Sequence, residues 1–159
     1  MADQNIEILQ RETYLKMIEN SPGTRLFNSI FVRRKDSGQV EDVCRDGEFS
    51  CAFFVSGVLC LTRYLEKPSA TVPSVRENLE KAGWEVANGE PRAGDVLVWE
   101  SMTFEDGTVN SHIGFAVSAE EAVSTSWANR NVEKHHVTFG VDEAGNPKRK
   151  IVAVLRKII

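Results

Sequence analysis

The fold class is decided by residues 96–127, which read VLVWESMTFEDGTVNSHIGFAVSAEEAVSTSW. Apolar residues alternate with small or polar ones along this stretch, and turn-forming groups interrupt it at residues 105–107 and 118–121. Such alternation is typical of strands that bury one face. The pattern predicts strands over 96–99, 113–117 and 122–127, and further strands over 135–139 and 151–156.

Helical patterns precede these strands. Apolar residues recur at helical spacing between residues 6 and 18, and Ser21-Pro22-Gly23 ends that segment. A long apolar run over 50–64 predicts a buried helix that begins near Ser50. Residues 26–43 are compatible with either a hairpin or an irregular loop.

A third, short helix is indicated by Thr71 and by the capping-box spacing Ser74-x-x-Glu77, and Gly83 ends it. Helices followed by closely spaced strands predict an α+β domain. We expect the N-terminal helices to pack on a mostly antiparallel sheet of about five strands.

The chain has 159 residues, which predicts one domain over 1–159. Within it, residues 1–45 carry a helix and a hairpin or irregular segment, and residues 46–159 form the core. The net charge is −4, and the densest basic cluster is the triplet at residues 148–150. This charge pattern disfavours nucleic acid as a partner.

The compartment is inferred from three cysteines, Cys44, Cys51 and Cys60, which cannot all pair within one chain. No signal-peptide pattern precedes them, and the apolar run over 52–61 is far shorter than the ~20 residues of a membrane-spanning helix. We therefore expect a cytoplasmic protein without a transmembrane segment; non-classical export and phage-type release are the alternatives.

Cys51 is the candidate nucleophile because it falls in the first turn of the predicted buried helix. Unpaired backbone N–H groups and the helix dipole stabilise a thiolate there, which predicts a lowered pKa, and the same groups can hold an oxyanion. The alternative is a small buried hydrophobic residue. That alternative is favoured for Cys44 and Cys60.

His112 is the candidate base for this thiol. Alternation places His112 and Gly114 on one face of their strand and Ile113 and Phe115 on the other. The small-residue face predicts a close approach of the helix terminus to the sheet on the His112 side.

Ser124 lies on the same predicted face as His112, so its hydroxyl is placed to orient the imidazole. His135 and His136 are adjacent, and at most one of them faces the site. Because neither a metal-ligand spacing nor a glycine-rich phosphate loop occurs, we expect no metal and no cofactor.

Three segments in order carry a family resemblance: Ser-Cys-Ala-Phe-Phe-Val at 50–55, Gly-Asp-Val-Leu-Val-Trp at 94–99 and His-Ile-Gly-Phe at 112–115. The chain resembles the NlpC-type and CHAP (cysteine, histidine-dependent amidohydrolase/peptidase) families of the papain-like superfamily. The resemblance implies a papain-like domain that cleaves peptide or amide bonds, with peptidoglycan stem peptides or related fragments as substrates.

By this resemblance Cys51 is the nucleophile, His112 is the general base, and the third polar position falls near Ser124, with Asn129 or His135 as substitutes. Candidate binding residues flank these positions: Asp46, Ser50, Ser126 and Trp127. A serine at the third position departs from the family pattern, as does Arg-Asp-Gly-Glu-Phe at 45–49. The alternatives are a catalytically silent peptide- or partner-binding module and an intracellular thiol acyltransferase.

Overall fold

The structure is a computed structural model that describes residues 5–158. Over this range the chain forms three helices and eight strands: α1 (Gln10–Asn20), β1 (Phe31–Arg33), β2 (Val40–Asp42), α2 (Cys51–Leu61), α3 (Val72–Lys81), β3 (Trp84–Val86), β4 (Val96–Thr103), β5 (Val109–Ala116), β6 (Glu121–Ser126), β7 (Asn131–His136) and β8 (Ile151–Lys157). The predicted α+β class is confirmed.

The main sheet has six strands in the order β3-β8-β4-β5-β6-β7, and each neighbouring pair is antiparallel. The expected count of about five strands is therefore corrected to six. The sequence did not reveal β3, whose three residues are too few to show an alternating pattern, and the strand predicted over 135–139 lies instead at 131–136 as β7. In the 26–43 segment, β1 and β2 form a separate two-stranded hairpin.

The helix boundaries follow local signals with one exception. Thr71 caps α3 by accepting the backbone N–H of Ser74, and Gly83 follows the helix with a φ of +79°. The N-terminal helix α1 begins only at Gln10, so Ile6 lies outside it and is exposed. Among the described residues, no helix has the length and hydropathy needed to cross a bilayer.

The larger core lies between the helices and one face of the main sheet. Phe54 of α2 meets Phe115 of β5 edge to face, with ring centroids 5.5 Å apart, and Ile113 is buried in the same cluster. The body of α2 therefore covers the Ile113 face of β5, whereas the predicted approach on the His112 side concerns only the helix terminus. Alternation correctly separates the two faces of β5, but large apolar side chains decide which face the helix covers.

The His112 face carries a second apolar cluster: Leu97, Trp99, Ala116, Ala122, Val137 and Val154. Gly114 explains how β6 comes so close on this side. A Cβ atom at this position would lie 2.5 Å from the backbone oxygen of Val123 and 2.8 Å from Cβ of Ser124. The small residues of this face thus make room for β6 and Trp99 rather than for a helix terminus.

The Gly94-Asp95 segment joins α1, β4 and β8. The hydroxyl of Tyr14 donates to the Gly94 carbonyl over 2.8 Å, and Asp95 forms a bidentate ion pair with Arg156 at 2.8 and 2.6 Å. A Cβ atom at Gly94 would lie 2.9 Å from Cδ2 of Leu15. This segment therefore has an architectural role, which fixes the helices relative to the sheet.

Candidate active site

A turn whose residues have left-handed backbone conformations precedes α2. Arg45, Asp46 and Gly47 have φ values of +49°, +50° and +93°, a conformation that costs free energy in non-glycine residues. The Asp42 carboxylate pins the turn by accepting backbone N–H groups of Ile30, Cys44 and Asp46. The turn places Cys51 as the first residue of the helix.

The N-terminus of α2 lacks a side-chain cap. Ser50 occupies the capping position, but its hydroxyl donates to the Gly47 carbonyl over 3.3 Å instead of accepting from the helix. The backbone N–H groups of the first turn therefore keep their capacity to bind a developing negative charge.

A cavity of about 680 Å³ opens beside this terminus, and its lining includes Cys51, His112 and Ser124. It lies beside the end of the ladder between β5 and β6. These strands pair only at Phe115↔Val123 and Ala116↔Ala122, whereas β6 stays paired with β7 along its whole length. The side chains of His112 and Ser124 lie beyond these two pairs and line the cavity.

A hydrogen-bond chain links three side chains of the cavity. The Ser124 hydroxyl oxygen lies 2.9 Å from Nε2 of His112 and 2.7 Å from Nε2 of His135. Nδ1 of His135 lies 2.7 Å from the carbonyl oxygen of His136. A carbonyl can only accept, so His135 carries its proton on Nδ1.

This assignment fixes the remaining protons. The neutral His135 accepts the Ser124 O–H at Nε2, and the Ser124 oxygen then accepts from Nε2–H of His112. Nδ1 of His112 is left with a lone pair. The imidazole is thereby held in the tautomer that can take a proton at Nδ1. The Ser124 hydroxyl thus contacts the imidazole at Nε2 and leaves Nδ1 open to a proton.

The protonation state of His112 agrees with this tautomer. Burial, the charge of Arg149 and the neighbouring His135 together lower the pKa of His112 to about 3, and burial is the largest of these causes. Burial also lowers the pKa of His135. Both rings are therefore neutral at physiological pH.

Cys51 is a neutral thiol in this structure. Burial raises its pKa, and the backbone N–H groups of Ile113 and Ala52 and the charge of Arg149 only partly offset that effect. The prediction of a lowered thiol pKa is wrong because desolvation outweighs the helix terminus. Within residues 5–158, no hydrogen bond joins the sulfur to His112, so the resting pair is a thiol and a neutral imidazole that share one cavity.

The other predicted site residues divide into two groups. Ser126, Trp127 and the substitute His135 line the cavity. Three lie outside its lining in the described part of the chain: Asp46, Ser50 and Asn129. Backbone carbonyls of the 45–46 turn accept from Arg130, Ser50 is buried against the same turn, and the Asn129 amide donates to Glu133.

Phe139 and Arg149 are among the cavity residues that escaped prediction. Phe139 stacks on His135 with ring centroids 3.9 Å apart, and it holds an unfavourable φ of +59° to do so. Arg149 donates from Nε to the Glu100 carbonyl and from Nη2 to the Asn110 carbonyl. The basic triplet 148–150 was a signal for Arg149, but no sequence pattern marked Phe139.

An aromatic wall, formed by Phe49, Phe104 and Trp127, contributes to the same cavity. The ring centroids are 6.5 Å apart for Phe49 and Phe104 and 6.3 Å apart for Phe104 and Trp127. Trp127 is 62% exposed and lies outside β6, so it offers apolar surface to a ligand instead of filling the core. The strand predicted over 122–127 therefore ends one residue earlier, before Trp127.

No family model matches the chain, and neither a curated protein nor a solved structure does. Within residues 5–158, no three His, Cys, Asp or Glu side chains come together in an arrangement that suits a metal ion. The chemistry of the site therefore has to be judged from its own side chains.

Proposed function

We propose that this chain is a cysteine hydrolase on a papain-like fold, which cleaves a peptide or amide bond through an acyl-enzyme. The observation that carries the proposal is the hydrogen-bond chain from the His136 carbonyl to His112. It leaves Nδ1 of His112 unprotonated in a cavity that also holds the thiol of Cys51.

The reaction begins from the neutral pair. Cys51 Sγ attacks the substrate carbonyl while its proton passes to Nδ1 of His112, and backbone N–H groups at the start of α2 stabilise the oxyanion. The imidazolium then protonates the departing amine as the C–N bond breaks. Water, deprotonated by the same nitrogen, releases the acyl group and restores the thiol.

Ser124 and His135 act as positioning residues in this mechanism. They hold His112 through Nε2 and stabilise the imidazolium that forms, because the Ser124 oxygen can accept a stronger hydrogen bond from a charged ring. A serine at this position is therefore compatible with catalysis, since His135 orients the serine in turn.

The proposed substrates are short peptides or amides, with peptidoglycan stem peptides and related fragments implied by the family resemblance. The aromatic wall supports a substrate that carries an apolar group near the scissile bond. We infer a cytoplasmic location from the sequence.

A catalytically silent binding module is the competing proposal. The raised pKa of Cys51 and the lack of a Cys51–His112 hydrogen bond among the described residues favour it. A thiol acyltransferase would use the same pair with an amine or alcohol acceptor in place of water. Product analysis separates that activity from hydrolysis.

The test is turnover of synthetic stem peptides and N-acyl peptide anilides, followed by mass spectrometry. We expect Cys51→Ala and His112→Ala to lower turnover by a factor of about 10³ or more. Cys60→Ala is the matched control, because Cys60 lies at the other end of the same helix, and its activity should equal that of the wild type.

Alkylation of Cys51 by iodoacetamide provides a readout that needs no substrate. We expect the rate to rise with pH, with a midpoint above that of an ordinary thiol, and to fall near neutrality in His112→Ala because the base is lost. No turnover across the panel, together with equal alkylation in wild type and His112→Ala, would overturn the proposal in favour of the binding module.

A further inference from the structure

Arg149 is a fixed cation in the wall of the cavity. It lies two residues before the start of β8, and its backbone N–H donates to the Thr138 carbonyl over 3.1 Å. Its charge acts on both Cys51 and His112, since it lowers the pKa of each. The guanidinium is therefore held beside the reacting groups instead of moving freely in solvent.

The guanidinium has binding capacity left over. Its hydrogen bonds are to neutral acceptors, the carbonyls of Glu100 at 3.1 Å and Asn110 at 3.3 Å. An arginine has five N–H donors, so three remain. Among residues 5–158, no carboxylate lies within ion-pair distance of Arg149.

Partial burial strengthens the interaction that the free N–H donors of Arg149 can make with an anion. Arg149 is half-buried, and desolvation lowers its pKa more than the charges of Cys51 and Glu100 raise it, so the guanidinium is partly desolvated without an ion-pair partner in direct contact. A half-buried guanidinium with free donors binds a planar anion more strongly than an exposed one does. Because Cys51 is a neutral thiol at rest, no thiolate acts as a counterion to Arg149.

We propose that Arg149 binds a carboxylate of the substrate beside the scissile bond. The substrate class is then a peptide or amide that carries a free carboxylate close to the cleaved carbonyl. This inference rests on the proposed function, which it makes more specific.

The charge of the cavity favours a carboxylate over a phosphate. Its lining includes the acidic Glu48 and Glu133 as well as Lys148 and Arg149, so formal charges balance before a ligand enters. A single negative charge is matched by the free donors of Arg149, whereas a doubly charged phosphate would also meet two carboxylates in the same cavity.

The test compares two reagents of nearly equal size, iodoacetate and iodoacetamide, at Cys51. Peptide mass spectrometry gives the ratio of the two alkylation rates, and any change in thiol pKa cancels in that ratio. We expect Arg149→Gln to lower the ratio about tenfold, as expected for loss of one charge-assisted interaction. The matched control is Lys150→Gln, which removes an adjacent exposed charge outside the cavity lining and should change the ratio less than twofold.

A ratio in Arg149→Gln within twofold of the wild-type value would overturn the inference. Cys60 provides an internal reference should that variant fail to fold: in the wild-type protein the ratio at Cys51 should exceed the ratio at Cys60 several-fold, and equal ratios would refute the carboxylate site.

Failure of the proposed function is distinguishable from failure of this inference. The two reagents alkylate a cysteine whether or not the protein hydrolyses amides, so absent turnover removes only the enzymatic proposal. Intact turnover with an unchanged ratio removes only the role of Arg149.

Discussion

Acidification should destabilise the protein through His112. The structure holds the ring neutral, with a pKa of about 3, whereas an unfolded histidine titrates near 6.5. The unfolded state therefore binds more protons than the native state between these values, so stability falls as the pH falls from about 7 toward 3. Above pH 7 both states are deprotonated at this residue, and its contribution is constant.

The size of the effect follows from the two pKa values. At pH 5 the unfolded histidine is about 1.5 pH units below its pKa, and each unit corresponds to about 1.4 kcal/mol, which gives a loss of about 2 kcal/mol relative to pH 7.5. His135 adds a loss of the same sign, because burial lowers its pKa too.

Urea unfolding at several pH values between 7.5 and 5.0 measures this loss, with His112→Gln as the control. The variant has no titrating group at this position. Between pH 7.5 and 5.0 its free energy of unfolding should therefore fall by about 2 kcal/mol less than that of the wild type. Equal pH dependence in the two proteins would refute the neutral, desolvated imidazole and with it the proposed resting state of the site.

Three further variants test particular contacts. Ser124→Ala leaves two imidazole nitrogens without a partner, so it should lower the free energy of unfolding in urea by about 1–3 kcal/mol. It should also slow the alkylation of Cys51. The control Ser126→Ala should show neither effect. Gly114→Ala places a Cβ atom 2.5 Å from the backbone of β6, so it should cost about 1–3 kcal/mol and lower Tm, and an unchanged Tm would contradict the close approach. Asp95→Asn weakens the ion pair with Arg156 and should cost about 1–3 kcal/mol, which an unchanged urea midpoint would disprove.

Local signals predicted the helices well. The apolar run after residue 50 and the cap at Thr71 are properties of a few neighbouring residues, and α2 and α3 form where those residues indicate. The strand β3 was missed because its residues 84–86 depend on pairing with β8, which is remote in the sequence.

The candidate site was predictable in part of its membership but not in its electrostatics. Strand parity placed His112 and Ser124 on one face, and their atoms lie within hydrogen-bond distance. The raised pKa of Cys51 was not predictable, because desolvation depends on what surrounds the thiol after folding. Arg149 was seen only as one of three adjacent positive charges, since its place in the cavity is set by the connection between β7 and β8.

The position of β8 affects how the molecule assembles. This strand comes after β3 and β4 in the chain but lies between them in the sheet, so those two strands remain unjoined until residues 151–157 insert. Pairing between remote segments slows folding, because the loop must close before any contact compensates for its entropy. Arg149 lies two residues before the inserting strand, so we expect the cavity to receive its cation when β8 pairs. A partly folded chain would thus present a thiol and an imidazole without the charge that we propose selects the substrate.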